Sequence, residues 1–122
     1  MHLIERTVLP AVMSMAVLTQ LTVSPAIADG VAAGKAVFEL KCAACHAGGG
    51  NVISPAKGLT SAALEANKVA TDEAIALLVS NGKGQMPMYG PKAPSFGRLT
   101  DEQIADVVEY TQAQAAAGWT SS

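Results

Sequence analysis

Cys42-Ala43-Ala44-Cys45-His46 is the stretch that decides how this chain reads. Its two thiols lie on one helical turn, where both can add to the two vinyl groups of a single porphyrin. The imidazole that follows is then carried under the ring, within reach of the iron. Both covalent links and the iron bond need this spacing, so C-x-x-C-H is a specific mark of c-type haem attachment. The chain holds two Cys and two His, and the motif uses all of them except His2.

Two other chemistries share parts of the motif. A redox C-x-x-C sits at a helix N-terminus beside a βαβ pattern, and no stretch here alternates as a strand does. A structural zinc site takes four Cys or His ligands, and the chain beyond its first residues offers only Cys42, Cys45 and His46. Either module would lack haem altogether. A haem enzyme or ligand sensor is a further alternative, and it needs an open iron position.

Upstream of the motif, residues 1–28 read as a leader. Residues 7–23 are mostly apolar, and Ala26-Ile27-Ala28 forms a small-x-small cleavage site before Asp29. The positive n-region is weak, because Glu5 cancels Arg6. A retained anchor is the competing reading. The apolar stretch is short for a span of ~20 residues, and Pro10, Thr19 and Gln20 interrupt it. The expected division is a cleaved signal peptide at 1–28 and one monohaem domain at 29–122.

A domain of that size buries only about 60–65 % of its unfolded surface. Its aromatics are Phe38, Tyr89, Phe96, Tyr110 and Trp119. A large flat apolar cofactor would complete such a core, so the fold should depend on haem. With both thiols consumed as thioethers, no disulfide is expected despite export. The chain is acidic, with a net charge of −2, and it has no basic cluster, which removes support for nucleic-acid binding.

Four helices can be read, giving an all-α fold. The first spans about 31–41, with Gly34, Val37, Phe38 and Lys41 on one side. A glycine on that face permits close approach of another helix. A short second helix covers Ser61–Ala66 behind Leu59-Thr60. The third begins after Thr71, with Asp72 and Glu73 in its first turn, and stops at Asn81-Gly82. The last is announced by a Thr100/Gln103 capping box and a Leu99/Ile104 staple. Ile104, Val107, Val108 and Thr111 follow at helical spacing, which leaves Tyr110 at the edge of the core.

An electron-shuttling iron with a proximal His needs a sixth ligand, and a thioether favours the ferrous state. Met86 and Met88, within Gln85-Met86-Pro87-Met88-Tyr89, both lie in a Gly/Pro-rich loop (82–97) with little core to fill. The same region has no acidic residue from 74 to 100 but contains Lys83, Lys92 and Arg98. Asp101, Glu102, Asp106 and Glu109 follow it on the last helix. This segregation suits an oriented electrostatic encounter. Met88, Tyr89, Pro91, Pro94 and Phe96 are placed to form an apolar docking patch beside it.

From Gly34-x-x-x-Phe38 through Cys42-x-x-Cys45-His46, Asn81-Gly82-Lys83, Met86-Pro87 and Tyr110 to Gly118-Trp119, the chain resembles class I c-type cytochromes, and within them the cytochrome c6 type. The resemblance implies a small fold of about four helices around one covalently bound haem c. It makes Met86 the distal ligand, packs Gly34 and Phe38 against Tyr110, and places Asn51 and Pro55 in the loop under the haem. A carbonyl near Pro55 would accept the His46 Nδ1 hydrogen, and Arg98 would dock partners. It also implies a single-electron carrier in the thylakoid lumen or periplasm. Its partners would be membrane complexes met transiently: the cytochrome b6f complex, and photosystem I or a terminal oxidase. No stable membrane insertion is implied, and the protein should be a monomer.

Two departures point to divergent c6-like subgroups, which implies a lower potential and a regulatory or other redox role as the alternative. Leu78 replaces the haem-facing Gln of the family's Gln-Val-x-Asn-Gly-Lys run. The usual Met-Pro-x-Phe-Gly-Gly-Arg-Leu segment is expanded to residues 86–99. The plant type with a cysteine-containing insertion matches less well, since no extra Cys occurs.

Overall fold

The computed structural model describes residues 25–120, so the leader expected at 1–28 falls, up to residue 24, outside the described residues. Five α-helices follow in order: α1 (Pro25–Lys41), α2 (Ala43–His46), α3 (Ser61–Ala66), α4 (Asp72–Asn81) and α5 (Asp101–Ala117). No β-strand occurs among the described residues; the nearest approach is an isolated Lys83–Met86 bridge that closes a tight turn.

Helix starts are set by threonine side chains. Thr60 Oγ1 accepts from the Ala63 N–H at 3.2 Å and Thr71 Oγ1 from the Ala74 N–H at 3.2 Å. At α5 the capping box is complete: Thr100 Oγ1 accepts from the Gln103 N–H, and Gln103 Oε1 accepts from the Thr100 N–H at 2.9 Å. Each such cap contributes about 1 kcal/mol. Helix α1 starts earlier than the expected residue 31. Pro25 suits a first turn, where no N–H is required, and the alanine-rich stretch after it favours helix. Helix α2 adds a fifth element to the expected four, because a single turn is too short to show any periodicity.

The core forms where α1 crosses α5. A Cβ built on Gly34 would meet the Asp106 carbonyl group, with the carbonyl carbon at 2.6 Å and Tyr110 Cβ at 2.8 Å. Only glycine lets the two helices approach this closely. Phe38 and Tyr110 pack there with ring centroids 5.2 Å apart. Tyr110 is buried, so it belongs to the core rather than its edge. Leu64, Ile75, Val79, Leu99, Ile104, Val107 and Val108 extend the same cluster. Gly118, with φ +71°, ends α5, and the Trp119 N–H donates to Gln114 O at 2.9 Å, a Schellman-type stop.

Candidate haem-binding site

The proximal side begins where α1 ends. The Cys42 N–H donates to Phe38 O at 2.8 Å and the His46 N–H to Cys42 O at 2.9 Å, so helical bonding carries the chain through the motif. Neither cysteine is in a disulfide. A turn at Ala47–Gly49 then reverses the chain, with Gly48 and Gly49 at φ +65° and +81°. This brings the Gly50 carbonyl to 2.8 Å from His46 Nδ1. A carbonyl only accepts, so Nδ1 carries the hydrogen and Nε2 keeps its lone pair for a metal.

The expected acceptor near Pro55 is therefore replaced by Gly50. The glycine turn closes on His46 within four residues, before the chain reaches Pro55, which is exposed. Asn51 serves the loop itself. Its Oδ1 accepts from the Ile53 and Ser54 N–H groups at 3.0 and 2.8 Å, and its Nδ2 donates to Lys57 O. The Gly48-Gly49-Gly50 run signals a tight turn in sequence but does not say which carbonyl faces inward.

The distal loop is folded onto the end of α4. Gly82 (φ +65°) ends that helix, and a Cβ there would lie 2.5 Å from Met86 O and 2.9 Å from Met88 N. The Tyr89 and Gly90 N–H groups donate to Val79 O and Ser80 O, both at 3.0 Å. These bonds satisfy carbonyls that a helix end otherwise leaves without partners.

Cys42, His46, Leu78 and Met86 all line one cleft, together with Phe38, Leu59, Leu64, Ile75, Val79 and Thr111. Nearly every lining side chain is apolar. Thr111 turns its hydroxyl away, donating to Val107 O at 2.8 Å. Apolar walls carrying an imidazole, a thioether and a thiol are the donor set that a haem takes. Cys45, Asn51 and Pro55 are not on the cleft wall; Cys45 is half-buried on the same turn as Cys42.

Burial pushes the Cys42 thiol up to about 11, whereas a redox dithiol requires a thiolate lowered in pKa. Among the described residues, no three His, Cys, Asp or Glu side chains converge as a metal cage would need. The dithiol and zinc alternatives thus find no support in the geometry.

The expected docking residues divide. Lys83 and Lys92 are exposed, and so are Met88 and Phe96, the latter at 89 %. Tyr89 is half-buried. Its hydroxyl donates to Lys41 O at 3.0 Å, and burial raises its pKa. The ring reaches back to the C-terminal end of α1, whose last carbonyls need donors, and so ties the loop down. Arg98 is exposed but commits Nε and Nη2 to Ala93 O at 3.3 and 2.8 Å. It braces the loop as well as charging its surface.

A small helical domain with C-x-x-C-H at the end of its first helix and imidazole and thioether on one apolar cleft has the architecture of a c-type cytochrome. The family description "Cytochrome c" matches residues 31–114, and the chain belongs to the cytochrome c family. It is c6-like. Cytochrome c6 of Rippkaea orientalis is 50 % identical over 95 residues, covering 78 % of this chain and 80 % of that protein. Cytochrome c6 of Thermosynechococcus vestitus is 43 % identical over 115 residues, covering 94 % and 96 %. Among solved structures, reduced cytochrome 6A of Arabidopsis thaliana matches with TM-score 0.68 at 39 % identity, over 75 % of this chain and 98 % of that one. Cytochrome c6 of the diatom Phaeodactylum tricornutum gives 0.65 at 45 % identity, over 73 % and 98 %. The protein carries one covalently bound c-type haem and works in electron transport.

Proposed function

We propose that Cys42 and Cys45 form the two haem thioethers and that His46 and Met86 are the axial ligands of a one-electron carrier. The observation that carries this reading is the convergence of Cys42, His46 and Met86 on one apolar cleft. When bound, haem supplies a single-electron ferric/ferrous couple. The chain does the rest. His46 is held by Gly50 in the tautomer that presents Nε2, which fixes the ring and raises its basicity. Met86 offers the thioether that favours ferrous iron, and the apolar walls exclude water.

The finer assignment is a monomeric carrier exported to the thylakoid lumen or periplasm. It would shuttle electrons from the cytochrome b6f complex to photosystem I or a terminal oxidase, through brief contacts at the exposed face around Met88 and Phe96. Lys83, Lys92 and Arg98 would steer the approach. Among the described residues no helix is long and apolar enough to cross a membrane.

Removal of residues 1–28 has a supporting feature in α5. Glu109 Oε2 is buried with no hydrogen-bond partner among the described residues, and the same carboxylate lies against Gly30. Cleavage before Asp29 creates an ammonium one residue away. A second reading, a c6-like cytochrome of lower potential with a regulatory role, is favoured by Leu78 on the cleft wall, where the family pattern has Gln.

The test is intact mass spectrometry of protein exported from a host that attaches haem. The expected mass is residues 29–122 plus one haem, stable to acid extraction. A chain without haem, or one that loses it to acid, contradicts the assignment of Cys42 and Cys45.

A further inference from the structure

We propose that Trp119 is a positioning residue for His46, acting through the loop between Ala47 and Leu59. The inference rests on the reading of His46 as an iron ligand. Gly48, Gly49 and Gly50 have no side chains with which to anchor the carbonyl that orients the imidazole, so the turn must be held from outside. Trp119 does this at two points. Its Nε1–H donates to Leu59 O at 2.9 Å, and its indole lies close enough on Gly49 that a Cβ there would come 2.5 Å from Trp119 Cδ1 and Cγ. The Leu59 N–H in turn donates to Gly49 O at 2.7 Å. Indole, Gly49 and Leu59 therefore form a closed set of contacts, and Gly50, the next residue, presents its carbonyl to His46 Nδ1 at 2.8 Å.

Two further features show that the surroundings impose the position of the indole. Trp119 has φ +57°, a left-handed conformation that a bulky residue adopts only when its surroundings impose it. The ring is wedged between Phe38, at 5.4 Å, and Tyr110, edge-on at 6.0 Å. The α1–α5 crossing thus supplies a rigid seat, and Trp119 transmits that rigidity to the proximal loop. A firm Nδ1–H···O=C bond makes imidazole a stronger donor to iron and favours the ferric state. Loosening it shifts the potential upward.

The experiment compares three haem-loaded proteins: wild type, Trp119→Phe and Ser61→Ala. Trp119→Phe keeps a ring in the seat but removes the donor to Leu59. Ser61→Ala removes the hydroxyl that donates to Ala115 O at 2.9 Å, a bond near the same end of α5 that does not involve the proximal loop. The readouts are the midpoint potential and, by NMR of the reduced protein, exchange of the His46 Nδ1 proton. Trp119→Phe should speed that exchange about fivefold, in keeping with one lost neutral hydrogen bond, and shift the potential upward. Ser61→Ala should leave both unchanged while lowering thermal stability.

The proposal is overturned by a Trp119→Phe protein with wild-type exchange and potential, or by a Ser61→Ala protein that moves both equally. If Trp119→Phe yields no holoprotein, Gly118→Ala, which disfavours the αL residue before the indole, is judged by the same criteria. A wild-type His46 resonance without the shift expected of iron-bound imidazole would instead refute the ligand assignment itself, so the two failures are separable.

Discussion

The α1–α5 crossing and the loop of residues 82–99 are held by opposite means. At the crossing, side-chain shape decides everything: the missing Cβ of Gly34, the rings of Phe38 and Tyr110, and a row of buried valines on α5. The loop sends only a few side chains, Leu99 and Ala93 among them, into the buried interior. It is held by backbone bonds to helix ends, from Tyr89 and Gly90 to α4, from Leu99 to Tyr89 O, and by the Tyr89 hydroxyl to α1. Packing gives the first region rigidity. Hydrogen bonding gives the second a fixed path while leaving Met88 and Phe96 on the surface. A carrier needs both: a stiff frame that keeps an iron environment constant, and an exposed lip that a partner can touch.

Substitutions that add bulk at the crossing should have the largest effect on stability. Gly34→Ala inserts a methyl where Tyr110 Cβ is 2.8 Å away and the Asp106 backbone is closer still. Overpacking of this kind costs about 3 kcal/mol, which thermal unfolding of the holoprotein would record as a fall of roughly 15 °C for a domain of this size. A small fall would mean that the helices can part without penalty. Tyr89→Phe tests the loop. It removes the donor to Lys41 O but keeps the ring, for a loss of about 1 kcal/mol. A loss as large as that of Gly34→Ala would erase the distinction between the two regions.

The helices are legible in sequence because their signals are local. Thr60, Thr71 and Thr100 each stand one residue before a helix, and α3 and α4 have the extents their caps and stops indicate. The C-x-x-C-H motif likewise needs only five consecutive residues. The Gly50 carbonyl is not legible, since any backbone carbonyl downstream of His46 can in principle accept, and three glycines leave the path open. Tyr89 reads as a docking residue for a related reason. An aromatic in a Gly/Pro loop looks like surface, and its partner, Lys41 O, lies 48 residues away in sequence. Arg98 combines both cases, its charge visible in sequence and its bond to Ala93 O visible only in the fold.

Smaller effects sharpen the comparison at the boundary between the regions. Leu78 lies on α4 yet lines the cleft. Leu78→Gln restores a dipole beside the haem position and is expected to raise the midpoint potential. Voltammetry showing an unchanged or lower value would refute that role. At the lip itself, Arg98→Asp should slow electron exchange with a native partner at low salt and flatten its salt dependence. The potential should stay near wild type. Stopped-flow rates equal to wild type at low ionic strength would remove Arg98 from the docking face.

The most direct test of the central claim is the ferric absorption spectrum of the holoprotein, read at the charge-transfer band of an iron–thioether bond. Wild type and Met88→Ala should both show the band, and Met86→Ala should lose it and bind cyanide or CO rapidly. A wild-type spectrum without the band, or a Met86→Ala spectrum that keeps it, would contradict His46/Met86 coordination.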